Sequence, residues 1–390
     1  MRLLDRQRQL DALLLNFQAL WLPQPFREIR PAWCRQWPAL TAELLALSDE
    51  AVVHLNDDGA AALTLLARHL PEVAALAALV DVPARPGAAL TDYGPHWARE
   101  IPGRKLQQIE AFAAAARCCS RPVLDWCGGK GHLGRLLAQQ WQMPVQTLEI
   151  DPVLCREGEL LARRGGLAHE FVVADALTAA SLPTAGQHVV ALHACGDLHR
   201  RLITQGVEAQ VMRFDIAPCC YYRGVAERYQ PLSSGLRLVL QRDDTRLAVT
   251  ESVTAAPRET RQRDRAIAWK LGFDSYRRAL SGAAYKNFKP VPESWVRGSF
   301  ADFLVRMNCR EGLPALAAGK VAAFEAEGWQ RQREVMRLSI VRHAFRRALE
   351  IWLGLDLGAF LEEHGYAVDI GSFCERRLTP RNLLISARLG

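Results

Sequence analysis

From about residue 100 the chain switches repeatedly between two hydrophobic periods. The helical spacing of GRKLQQIEAFAAAARCC gives way to a short apolar run at Val123 and Leu124, and helical spacing returns at Leu133, Leu136 and Leu137. The same alternation continues downstream. It predicts strands at 123–127, 145–150, 170–174, 187–193 and 212–217, with helices at 132–140 and 152–164 between them. Short apolar runs separated by helical stretches are the mark of βαβ units, and hence of a mostly parallel sheet with helices on both faces. A last apolar run, Asn382–Ala387, predicts a strand closing one edge of that sheet in antiparallel fashion.

The two flanks read differently. Residues 1–90 are Leu- and Ala-rich with helical periods broken at Pro23, Pro25, Pro31, Pro38 and Pro71. The opening MRLLDRQRQLDALLLNF is amphipathic and acidic enough to read as a packed helix instead of a targeting segment. The loop RPGAALTDYGP (85–95) is a plausible boundary, which gives a helical N-terminal region, 1–90, and an α/β domain, 91–390. A mostly helical insertion is expected at about 255–350, before the last strands, which a terminal hairpin would make antiparallel.

Composition adds limits. The chain has 390 residues, of which 49% are hydrophobic and 23% charged, ordinary values for a globular protein. No apolar run is long enough for a membrane span. Ten cysteines without a C-x-x-C pair do not make a disulfide framework, and a reducing cytoplasm is expected. Oligomeric state has no sequence signal.

The net charge of +7 is localised. Residues 251–390 hold 23 Lys and Arg against 16 Asp and Glu, and the first 250 residues balance. The densest stretch, 258–289, carries Arg258, Arg261, Arg263, Arg265, Lys270, Arg277, Arg278, Lys286 and Lys289, with Trp269, Phe273, Tyr276, Tyr285 and Phe288 interleaved. Cations interleaved with stacking surfaces suit an RNA contact. An Arg-rich solvated helix whose aromatics face a core fits the pattern equally.

The chemistry concentrates at the predicted strand ends. The first βα turn reads VLDWCGGKGHLG, with Asp125, Gly128, Gly129 and Gly131. Glycines permit a tight turn and close backbone approach to a ligand. The second strand ends in Glu149 and Asp151, where a carboxylate meets the two hydroxyls of a ribose, and the third precedes Asp175. A dinucleotide would place its pyrophosphate against the turn, where Asp125 repels it. A cofactor with a positive centre or amine suits Asp125 better, which points to S-adenosylmethionine over NAD. Asp125 is then expected on the methionine side, Glu149 on the ribose and Asp175 at the adenine.

Two further strand ends are rich in reactive groups: VVALHACGDLH, with His193, Cys195 and Asp197, and FDIAPCCYYRG, with Cys219, Cys220, Tyr221 and Tyr222. Ligands of open α/β sheets bind outside the carboxyl ends of the strands. If strand four lies between strands one and five, these groups converge. They then form an acceptor pocket with His193 or Asp197 as general base and Cys219 and Tyr221 shaping it, or a thiol nucleophile. They could also form a metal site, or be buried cysteines acting as small hydrophobes. The spacing is too irregular to predict a metal.

Taken together, DWCGGKGHLG, LHACGD, PCCYY, QPLS (Gln230–Ser233) and LTPRN (Leu378–Asn382) resemble the methyltransferase domain 32 family over about residues 100–390. The Cys-Cys-aromatic element and His-x-Cys-Gly also resemble a eukaryotic tRNA 2′-O-methyltransferase family. The resemblance implies a class I, Rossmann-like S-adenosylmethionine fold, with Asp125, Gly129, Gly131, Glu149 and Asp175 at the cofactor. It also implies a basic Lys-x-x-(Gln/Glu) element at Lys105 and Gln108, and RNA as the first acceptor to consider, ahead of a protein, a small molecule or a non-catalytic binding role. Cys127 stands where such turns usually have their first glycine.

Overall fold

The computed structural model describes residues 2–179, 182–251, 257–282 and 284–390. The chain divides into two compact units. One comprises Met1–Leu15, Ala75–Val253 and Arg346–Gly390, the other Asn16–Ala74 and Thr254–Phe345. The boundary expected near residue 90 lies inside the first unit, and the expected insertion lies almost wholly in the second.

The first unit is built on seven strands: β1 (Val123–Trp126), β2 (Val145–Glu149), β3 (His169–Val173), β4 (His188–Cys195), β5 (Arg213–Cys219), β6 (Tyr366–Ser372) and β7 (Leu383–Leu389). Their order in the sheet is β3-β2-β1-β4-β5-β7-β6. The first five are parallel, and β7 runs antiparallel to both β5 and β6. The expected α/β class and antiparallel closing edge are both present, and β4 does lie between β1 and β5. The partner of β7 in this edge hairpin, β6, has no clear sequence pattern, because YAVDIGS mixes polar and small residues; it sits at the sheet edge, where one face remains wet.

Burial explains the rhythm. Val123, Leu124 and Trp126 of β1, Val189–Ala191 of β4 and Phe214, Ile216 and Ala217 of β5 are removed from solvent, as expected for central strands covered on both faces. The helix His132–Trp141 presents Leu133, Leu136, Leu137 and Ala138 to a cluster that includes Ile109, Phe112 and Val145. Pro152 begins the next helix, where Asp151 caps it by accepting from the Val153 N–H at 2.8 Å.

The amino ends of the central strands carry a buried ionic knot. Asp215 Oδ2 accepts from His188 Nε2 and Arg213 Nε, both at 2.8 Å, and Ser386 donates to the same carboxylate. Trp141 stacks on the His188 ring, 5.0 Å between centroids. Burial alone would raise the Asp215 pKa; the bonds from His188 and Arg213 outweigh it and hold the group below its usual value.

The second unit is helical. Its cluster contains Trp269, Phe273, Tyr276, Phe300, Phe303 and Met307. Arg277, Arg278 and Arg331 all pair with the buried Asp274. The stacking role foreseen for Trp269, Phe273 and Tyr276 is thereby corrected: their rings are core, and the side chains between them point elsewhere because a helix turns 100° per residue. Tyr285 and Phe288 are half-buried against Phe26. Arg258, Arg261, Arg263 and Arg265 remain exposed on the first turns of Pro257–Ser281.

Candidate functional site

The carboxyl ends of β1, β2, β4 and β5 carry the site. After β1 the chain turns through Cys127, Gly129 and Gly131 with φ of 58°, 64° and 63°. The three glycines have separate reasons. A Cβ on Gly128 would lie 2.3 Å from Asp125 Oδ2, and one on Gly131 would lie 2.7 Å from His169 and Phe171. Gly129 faces open space. The turn is thus packed from below at two glycines and open above at the third.

Asp125 belongs to the packed side. Its carboxylate is 1% exposed and accepts from the Gly134 N–H at 3.1 Å and the Thr147 hydroxyl at 3.3 Å. Burial pushes its pKa up to about 6. It therefore braces the glycine turn from within, and the direct cofactor contact expected of it gives way to support. Thr147 Oγ1 also meets His169 Nε2 at 2.7 Å, so this brace runs across three strands. Sequence gives no hint of that partnership, because Thr147 and His169 look like ordinary strand residues.

Glu149 sits at the rim. Its Oε2 accepts from the Gly129 N–H at 3.0 Å, and its Oε1 from the N–H groups of Ile150 and Asp151 at 3.0 and 3.1 Å. These bonds fix the carboxylate beside the open glycine, and each oxygen retains acceptor capacity. Asp175 is half-buried beyond β3 and caps its own turn through the Leu177 N–H at 2.9 Å. Near these acids, Ile150, Val153, Val173 and Leu177 are large apolar residues left exposed, Ile150 at 61%. Sequence reasoning passed over them because exposed apolar residues look like strand core. Exposed apolar side chains beside two rim acids suit the face of a purine ring. The residues present therefore fit S-adenosylmethionine: Gly129 for close approach, Glu149 for the ribose, Ile150 and its neighbours for the adenine.

Beyond this rim the ends of β4 and β5 are strained. His193 and Cys220 have φ of 65° and 46°, a conformation that costs non-glycine residues on the order of 1–3 kcal/mol and collects at functional sites. β4 shifts register between Leu192 and Cys195, which sets Cys195 opposite Cys219. Their sulfurs are 3.3 Å apart, and Cys219 Sγ donates to the His193 carbonyl at 3.1 Å. The neighbouring thiols and burial push the Cys219 pKa far up, which is opposite to what a nucleophile needs. Cys220 is pushed down by bonds from Cys195 and Cys219. Cys127 is pushed up to about 12, chiefly by burial.

His193 is half-buried, and burial holds its pKa at about 4, so its ring is neutral at pH 7. Nε2 lies 3.1 Å from Gln108 Oε1, and Gln108 Nε2 donates to the Leu378 carbonyl at 3.2 Å. Arg104 donates to the same carbonyl at 2.8 Å. One glutamine thus joins three motifs far apart in sequence: Lys-x-x-Gln, His-x-Cys-Gly and LTPRN. The QPLS motif is tied down separately. Asp356, fully buried, accepts from Tyr229 Oη, from the N–H groups of Leu232 and Ser233, and from Ser233 Oγ, at 2.7–3.0 Å.

The remaining expectations separate. Tyr221 is 1% exposed, edge-on to His199, and its hydroxyl has no hydrogen-bond partner among the described residues. Its neighbour Tyr222 is the half-exposed ring, with Arg246 5.4 Å above it. Of the two tyrosines expected beside an acceptor, Tyr222 is thus the half-exposed one and Tyr221 the buried one. Asp197 opens the helix Asp197–Glu208 and lines a cavity of about 570 Å³ with Arg200 and residues 224–230; His193, Cys219 and Tyr221 do not line it.

The strand order and the glycine turn followed by a rim carboxylate define a class I methyltransferase fold. Residues 104–227 match the sequence model of the family resembled above, described as a methyltransferase domain. This segment is a methyltransferase domain, and the cofactor of its class is S-adenosylmethionine. No curated protein matches the chain. Among solved structures, it is similar to a TehB-like SAM-dependent methyltransferase from Corynebacterium glutamicum, at 19% identity and TM-score 0.23 over 28% of this chain and 60% of that one. It is also similar to the YcgJ protein of Bacillus subtilis, at 14% identity and TM-score 0.26 over 28% and 50%. A third is a tRNA (uracil-54, C5)-methyltransferase from Pyrococcus abyssi, at 20% identity and TM-score 0.22 over 25% and 24%. The matched part thus spans less than two thirds of the length of each of these chains.

Proposed function

We propose that this protein transfers the methyl group of S-adenosylmethionine to RNA, with tRNA or rRNA as the acceptor, in the cytoplasm. The carrying observation is the exposed face formed by Arg258, Arg261 and Arg265 on the first turns of Pro257–Ser281, with Arg263 on the opposite side of that helix, in a chain whose whole excess of positive charge lies beyond residue 250. Arginine forks match phosphate geometry, and a row of them follows a backbone. Because Trp269, Phe273 and Tyr276 are core, the contribution of this helix rests on phosphate contacts. All ten cysteines are free, in keeping with a reducing compartment. No helix among the described residues is long and apolar enough to cross a membrane.

The cofactor supplies an electrophilic methyl on a sulfonium. Glu149 would accept from its ribose hydroxyls, and the Ile150 shelf would exclude water from the adenine. Glu149 also holds the Gly129 N–H, and Asp125 braces the base of the turn through Gly134 and Thr147. Neutral His193, oriented by Gln108, is available to take a proton from an acceptor hydroxyl or amine; a positioned base contributes on the order of 10²–10⁴-fold. Alignment of the acceptor accounts for most of the remaining acceleration.

The test is radiolabelled methyl transfer to fractions of extract from cells lacking the protein. Label removed by ribonuclease supports the reading. Label removed by protease, or found only in small molecules, replaces RNA with that acceptor. Replacing Arg258, Arg261 and Arg265 by Gln should lower the salt dependence of RNA binding by up to about three in the log–log slope, roughly one per phosphate contact. An unchanged slope removes this surface from the argument.

A further inference from the structure

We propose that Cys195, Cys219 and Cys220 form a three-thiolate site for a zinc ion at the carboxyl edge of the sheet. The sulfurs of these three residues lie within 4.8 Å of one another. Zinc–sulfur bonds of about 2.3 Å in a tetrahedron place sulfurs roughly 3.8 Å apart. The 3.3 Å between Cys195 and Cys219 needs a side-chain adjustment of about half an ångström to reach that spacing. The same gap is far longer than a disulfide bond of about 2.05 Å.

The backbone goes out of its way to produce this grouping. The register shift in β4 brings Cys195 level with Cys219. The left-handed Cys220 then turns the chain so that two successive residues direct their thiols to one point. Buried cysteines acting as hydrophobes need neither a register shift nor a strained backbone. The donor set is all sulfur, which selects a soft or borderline cation and disfavours magnesium and calcium. Each thiol gives up its proton to solvent as its bond to the metal forms. Three thiolates and Zn²⁺ leave one negative charge, and Arg223 and Arg381 act on Cys220 to offset it. Cys195 and Cys220 are half-exposed, so the fourth vertex is open. Three protein ligands with one open position is the pattern of a zinc that meets solvent or substrate.

The proposal is independent of the acceptor's identity, because its readouts need no methyl transfer. The full-length protein, purified under reducing conditions without chelator, should contain equimolar zinc by elemental analysis. After chelation, cobalt added in its place should give an intense thiolate-to-metal charge-transfer band that zinc displaces. The double variant Cys195→Ser/Cys220→Ser should lose both, and Cys118→Ser, exposed elsewhere, should lose neither. If the double variant does not fold, the cobalt spectrum of the wild-type protein decides alone, since its band intensity scales with the number of thiolate ligands. Absence of metal together with no cobalt band overturns the site. So does zinc retained by a folded double variant, or a Cys195–Cys219 disulfide found in the unreduced protein, which would make the pair a redox couple.

Discussion

The two ends of the central strands in this sheet handle buried polar groups in opposite ways. At the amino ends, Asp215, His188, Arg213 and Ser386 bond to one another on a regular strand backbone. At the carboxyl ends, Cys127, His193 and Cys220 take left-handed conformations. Left-handed residues also occur on the amino side, at Ser120, Gln142 and Gln210, but these are loop residues ahead of the strands, and Gln142 terminates a helix. A closed knot serves the fold. A strained, partly open edge costs the fold stability and leaves groups available to a ligand. Substitutions at the two ends should therefore separate stability from binding.

The largest effect is expected at the knot. Asp215→Ala would leave Arg213 and His188 buried without their anion, a loss of about 3–5 kcal/mol. Denaturant unfolding should show it, while the cofactor affinity of the folded fraction stays unchanged. If affinity falls in step with stability, the two ends are not separable. The reverse pattern is expected at the rim. Glu149→Ala removes charged acceptors for the ribose, worth about 3 kcal/mol or roughly 100-fold in S-adenosylmethionine affinity. Calorimetry would measure it, with Glu149→Gln recovering part. An affinity within a few-fold of wild type would place the cofactor elsewhere.

These two acids show how far sequence reaches. Glu149 was legible because strand ends in an alternating α/β pattern have one chemical use, and its spacing from the glycine turn is short-range information. The parallel sheet followed from the same pattern, while the place of β4 between β1 and β5 entered only as a condition. Asp125 was legible as a residue of interest but not in its role, since the hydrogen bond from Thr147 depends on the register of a neighbouring strand. The convergence of Cys195 on Cys219 needed a register shift that no periodicity announces. In the helical unit the ambiguity was of another kind. Basic and aromatic residues at 258–289 fit a stacking surface and a core-facing helix equally in sequence; the fold sends Trp269, Phe273 and Tyr276 inward, takes Arg277 and Arg278 to Asp274, and leaves Arg258, Arg261, Arg263 and Arg265 exposed.

Asp125 is intermediate, a rim-side residue that behaves like a core one, and pH distinguishes it. Its folded pKa of about 6 lies above the unfolded value near 3.8. The folded state therefore takes up a proton first as pH falls, so the charged form costs stability above pH 6 and that cost is relieved between about pH 6 and pH 4. Relative to Asp125→Asn, the wild-type protein should gain about 2–3 kcal/mol over that interval. Using the difference between the two proteins cancels the opposite trend from His169 and His199. Burial lowers both of those pKa values to about 4, and both groups lose stability as pH drops below about 6.5. A flat difference curve would mean that Asp125 titrates normally and is open to solvent.

The smallest effect sharpens the comparison most, because it concerns two adjacent tyrosines. Tyr221 is buried with an unpartnered hydroxyl. Removing that oxygen takes away a polar group that was desolvated for nothing, so Tyr221→Phe should be neutral or stabilising by up to about 1 kcal/mol, with methyl transfer unchanged. Tyr222 is half-exposed beneath Arg246. Tyr222→Ala should leave stability nearly unaltered and raise KM for the acceptor, as expected of a ring that contributes stacking surface worth about 1–3 kcal/mol. If Tyr221→Phe instead lowers kcat while the fold is intact, the hydroxyl reaches the acceptor in a conformation different from this one. The carboxyl edge would then be a moving site, and its strain would be the energy that lets it open.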